Sequence, residues 1–102
     1  MSNPYSSTIK SFLNELLKDE TITVLSSCEG ESIDSEEPNR DISQLVDDCY
    51  ACDYALLEVF QDDKAIGNVM VMPYEASEAD EIFVDWHTNP IIDNAIKSVL
   101  TN

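Results

Sequence analysis

The sequence predicts an α+β domain: an antiparallel sheet of three or four strands, with three amphipathic helices packed mainly on one face. Three observations carry this expectation. Stretches near the two ends and one in the middle hold apolar residues at helical spacing. Three β-type runs follow one another between residues 54 and 87 across short connections, which implies hairpins and therefore antiparallel pairing. The chain has 102 residues, the length of one domain with a single modest core.

Residues 4–19 read as the first helix. Asn3 is placed to cap it and Pro4 to occupy its first position, while Ile9, Phe12, Leu13, Leu16 and Leu17 form one stripe. "TITVLSS", residues 21–27, is β-branched and alternating, hence a strand. "CEGESIDSEEPNRD", residues 28–41, is too polar and too rich in turn formers to be an element. The second helix spans Asp41 to about Cys52: Asp41 and Gln44 have capping-box spacing, and Ile42, Leu45, Val46 and Cys49 share a face. Strands follow at 54–61, 65–73 and 81–87, the first two joined by Asp62-Asp63-Lys64 as a short hairpin connection. Pro73 ends the middle strand. The third helix starts at Pro90 under Asn89 as cap and carries Ile92, Ala95, Ile96 and Val99 on one stripe. The order is α-β-α-β-β-β-α.

Composition narrows the function classes. The apolar fraction of 43% is enough for folding, and no apolar run approaches the ~18 residues of a membrane span. The N-terminal segment lacks the basic-then-apolar pattern of a secretory signal, and three cysteines suit reduced thiols; the expected location is a cytoplasm. Twenty-one acids against five bases leave a net charge of −16. Such a charge repels nucleic acid and anionic lipid and destabilises the compact state by self-repulsion, so a basic protein partner is the expected offset.

Candidate chemistry is sparse. Cys49-Tyr-Ala-Cys52 is a CxxC that closes a helix after Asp47 and Asp48, where the local field disfavours thiolate, so Cys49 is expected as a core thiol. A zinc set drawn from these cysteines with Cys28 and His87 lacks a second CxxC. Asp85 and His87, two apart on a strand, are expected on one face as a structural pair, since no nucleophile is positioned by spacing. The acidic stretch lacks the D-x-[DN]-x-[DN]-G spacing of a calcium loop, and the two glycines, Gly30 and Gly67, form no phosphate-binding motif. No catalytic residue, metal ligand or cofactor is expected.

Two acidic clusters stand out. One is Glu29, Glu31, Asp34, Glu36, Glu37 and Asp41; the other is Glu75, Glu78, Asp80, Glu81 and Asp85, with no base between Lys64 and Lys97. Asp47, Asp48, Asp53, Asp62 and Asp63 are expected at helix ends and turns, in solvent. A domain of this size is roughly 33 Å across, a length over which duplex DNA carries about 19 phosphates. Imitation of a shorter phosphate track is therefore feasible. Glu29, Glu31, Asp34, Glu36, Glu37, Glu75, Glu78, Asp80 and Glu81 are the expected partner-binding acids, and Tyr74 the aromatic anchor.

In size and charge the chain resembles the small acidic proteins of phages and mobile elements, including anti-CRISPR and anti-restriction inhibitors. Its closing segment "EIFVDWHTNPIIDNAIKSVL", with D-W-x-T-N, is similar to the ending of small phage and prophage proteins. The resemblance implies a non-enzymatic inhibitor that binds a host defence complex, such as a CRISPR effector, at its nucleic-acid site. Two other readings fit the same residues: an immunity protein or antitoxin against a basic nuclease, and a homodimeric adaptor that uses the uncovered sheet face.

Overall fold

A computed structural model describes residues 5–28, 31–32, 38–51, 55–74, 81–87 and 89–100, with the backbone alone at 28, 31, 32 and 85–87. The elements are α1 (Ser6–Leu16), β1 (Ile22–Cys28), β2 (Glu31–Ser32), α2 (Ile42–Cys49), β3 (Ala55–Gln61), β4 (Lys64–Val71), β5 (Phe83–His87) and α3 (Pro90–Leu100). The α+β class and the order of the three helices and four main strands are as the sequence predicts. The sheet runs β2-β1-β3-β4-β5, every pair antiparallel.

Helix formation follows the apolar spacing. Ile9, Phe12, Leu13 and Leu16 of α1, Leu45 and Cys49 of α2, and Ile92, Ala95 and Ile96 of α3 all enter one core. α1 is shorter than expected. Its C-terminal end comes early because the Asp19 carboxylate accepts from both the Thr21 amide (2.9 Å) and the Thr21 hydroxyl (2.6 Å), turning the chain into β1. The expected cap Asn3 and Pro4 lie outside the described residues. Asp41 caps α2 by accepting from the Gln44 amide at 3.2 Å, and Asn89 caps α3 by accepting from the Ile91 amide at 2.9 Å.

Alternation decides the sheet. Ile22, Val24, Ser26, Ala55, Leu57, Val59, Val69, Val71 and Phe83 point into the core with the helices. Each fully buried aliphatic or aromatic side chain there contributes about 1.5–3 kcal/mol. β3 and β4 are joined by Asp62 and Asp63 at φ 52° and 67°, the two left-handed residues of a type I′ hairpin turn. Aspartate tolerates that region better than other residues with a Cβ. Two register shifts, at Val59/Phe60 and at Asn68/Val69, break the pleat.

The acidic stretch departs from expectation. Glu31 and Ser32 pair with Cys28 and Ser27, and further on Asn39 exchanges two 2.9 Å backbone bonds with Val24. The stretch is thus tied to the outer side of β1 at both ends. Side-chain polarity does not prevent this, because strand pairing uses backbone groups, and β1 has a free row of them.

Candidate protein-interaction surface

Of the expected partner-binding residues, Glu29, Asp34, Glu36, Glu37, Glu75, Glu78 and Asp80 lie outside the described residues. Glu31 is in β2. Glu81 is exposed and stands just before buried Ile82, whose carbonyl accepts from the Met72 amide at 2.8 Å and fixes both ends of the β4–β5 connection. Tyr74 is 56% exposed. Its ring meets Tyr50 edge-on at 5.5 Å, and its hydroxyl donates to the Tyr50 carbonyl at 2.9 Å, so it also closes the C-terminal end of α2.

The strand register brings the anchors of the two acidic segments together. Cys28 opposes Ala55, Ala55 opposes Val71, and Val71 opposes Phe83. This ladder is one end of the sheet. From it depart the connection between β1 and β2, which carries Glu29, and the connection between β4 and β5, which carries Glu75, Glu78, Asp80 and Glu81; Asp34, Glu36 and Glu37 follow β2 in the sequence. Four inter-strand steps separate β2 from β5, roughly 19 Å at ~4.8 Å each. Lys18, Arg40 and Lys64 sit at the opposite end, beyond the Ile22–Gln61 pair.

Two of the bases are already engaged with acids: Lys18 with Glu15 at 2.8 Å and Lys97 with Asp93 at 3.0 Å. Arg40, the single base of the acidic stretch, serves the fold. Its guanidinium donates to the carbonyls of Leu17 (2.6 Å), Asp19 (3.0 Å) and Ile22, at the negative end of the α1 dipole. The lone base in the stretch thus holds the segment to α1. Beside it, the Thr21 hydrogen bonds hold the Asp19 carboxyl below the ordinary 3.8, helped by the Arg40 charge.

Asp48 is a correction. Expected in solvent at a helix end, it is 3% exposed, facing Ser26 at 4%. The Ser26 hydroxyl donates to Asp48 Oδ2 at 2.5 Å and the Gln44 side chain to Oδ1 at 3.0 Å. The reason is spacing: Leu45, Asp48 and Cys49 share the helix face turned to the sheet, and the carboxylate finds donors there. Asp47, Asp62 and Asp63 are exposed as expected.

Cys49 is a buried free thiol, and burial together with the Asp48 charge pushes it up to about 12. Cys52 lies outside the described residues. Asp85 opposes Val69 and His87 opposes Asn68, so the register shift interrupts the alternation that was expected to keep Asp85 and His87 on one face. Among the described residues no cluster of His, Cys, Asp and Glu could hold a metal ion, and no helix is long and apolar enough to cross a membrane. No protein-family model matches the chain, and no curated protein or solved structure shows significant similarity to it.

Proposed function

We propose that this chain is a non-enzymatic inhibitor of the phage-versus-host type, similar in strategy to anti-CRISPR proteins. Its acidic segments occupy a basic nucleic-acid-binding site on a host defence complex, in the host cytoplasm. The observation that supports this reading is that both acidic segments begin at one end of the sheet, one after Cys28 and the other beyond Val71. Their anchors stand roughly 19 Å apart, a length on which a duplex displays about 11 charges. Glu29, Glu31, Asp34, Glu36 and Glu37 on one side and Glu75, Glu78, Asp80 and Glu81 on the other supply nine carboxylates. Tyr74 directly precedes the second set in the sequence and is exposed and braced by Tyr50.

The test is capture of host proteins on the immobilised chain at about 50 mM and about 300 mM salt. A basic nucleic-acid-binding complex retained at low salt and displaced by added DNA or RNA is the expected result. Retention that nucleic acid does not compete with would overturn occlusion. Retention of a single basic nuclease would favour the immunity-protein reading instead.

A further inference from the structure

Between the first turns of α1 and α2 lies a cavity of about 300 Å³ that opens to solvent. α1 lines it with Ser7 and Lys10, and α2 with Ile42, Val46 and Asp47. Ile42 and Val46 are half-buried against the core and turn their remaining apolar surface to the cavity. Lys10 and Asp47 are exposed, and among the described residues neither forms an ion pair, with the other or with any other group. Three of the five bases are engaged elsewhere, Lys18 and Lys97 with acids and Arg40 with carbonyls. One cavity thus holds an uncommitted ammonium on one wall, an uncommitted carboxylate on the other, and an apolar strip beside them.

We infer that this cavity binds a free α-amino acid with an aliphatic side chain. The ligand carboxylate meets the Lys10 ammonium and the Ser7 hydroxyl, its ammonium meets the Asp47 carboxylate, and its side chain lies on Ile42 and Val46. The scale fits. The volume stands at the lower end of small-molecule sites, about 300–1,000 Å³, which suits a small ligand. Such a space is roughly 8 Å across, so both walls can reach a molecule whose own two charges are separated by one carbon. The signs select the class. A plain anion is repelled by the net charge of −16, and a plain cation has twenty-one carboxylates to choose from and gains nothing from Lys10. A zwitterion has no net charge, so neither objection applies and both walls contribute. The cavity uses neither acidic segment, so its failure would leave the inhibitor reading standing.

The probe is L-leucine, titrated into the isotope-labelled full chain and followed by amide NMR shifts. Saturable shifts at Ser7, Lys10, Ile42, Val46 and Asp47 are expected, with a dissociation constant of about 3 mM. N-acetyl-leucine lacks the ammonium and leucinamide lacks the carboxylate; each should bind these residues at least about threefold more weakly. Glycine, which has no side chain to lay on Ile42 and Val46, should also bind more weakly. In the protein, Lys10→Gln and Asp47→Asn should each weaken leucine about threefold. Both side chains are exposed, so the variants keep the dispersed spectrum of the folded chain. Absence of saturable shifts at these residues, equal binding of leucinamide or N-acetyl-leucine, or unchanged affinity in either variant would overturn the inference. So would shifts spread over acids elsewhere in the chain, the mark of a cation answering to net charge alone.

Discussion

Ser26 and Asp48 offer the sharpest test of how this core is held. Ser26→Ala removes the hydroxyl that donates to Asp48 Oδ2 at 2.5 Å and leaves a 3% exposed carboxylate on the Gln44 amide alone. A hydrogen bond to a charged group contributes about 1.5–3 kcal/mol, so the expected loss is about 2 kcal/mol. With a urea slope of about 1.5 kcal/mol per molar, the midpoint falls by roughly 1.3 M at unchanged slope. Asp48→Leu alone costs a similar amount, through the orphaned Ser26 hydroxyl. The double variant Ser26→Ala/Asp48→Leu costs less than the two single losses together, because no polar group remains without a partner. The assay is urea unfolding of all four proteins. Additive losses, or a Ser26→Ala change under ~0.5 kcal/mol, would refute the view that the hydroxyl holds the carboxylate in the core.

Three further outcomes follow from local geometry. At the left-handed Asp63, Asp63→Gly should raise the melting temperature relative to Asp63→Ala, by a free-energy difference of about 1 kcal/mol, because only glycine is free of the Cβ clash at φ 67°. Arg40→Met should cost about 1–2 kcal/mol in chemical unfolding, with Arg40→Lys intermediate, since an ammonium cannot bond the Leu17, Asp19 and Ile22 carbonyls at once. Burial and neighbouring charge raise Cys49 from 9 to about 12, and burial is the first cause raising Tyr50 from 10 to about 12. Both groups therefore favour the folded state only while protonated. Stability should decline as pH rises from 9 towards 12, and a thiol reagent at pH 8 should label Cys49 only at the rate of unfolding.

Much of the fold is legible because its signals are local. Asp41 before Ile42 and Asn89 before Pro90 each announce a helix start that the chain realises through its own side chains, and the apolar stripes of the three helices all reach the core. The bulge near Trp86 has no such mark: no glycine or proline signals it, and it exists only because β5 must match the register of β4. Asp48 was hidden for a different reason. Its charge points to solvent, whereas its position three residues after Leu45 points to the core. The usable signal was paired: Ser26 interrupts the apolar alternation of Ile22 and Val24 just as Asp48 interrupts the stripe of α2. Two polar residues on facing core surfaces are each other's explanation. Of the expected interaction surface, the register fixes the points from which both segments begin, at Cys28 and beyond Val71.

The acidic stretch pairs with β1 at Glu31–Ser32 and at Asn39, and this pairing has a use in the unbound molecule. An uncovered β1 would be a template for strand addition, with its amides and carbonyls open to any unfolded chain or second copy. Glu31–Ser32 and Asn39 occupy part of that row with backbone bonds of their own, which closes it there to strand addition. Cutting the segment away to probe a partner would thus create an adhesive border, and the shortened chain would tend toward fibrillar self-association. The pairs that tie this segment to β1 thus also guard the border of the sheet against self-association.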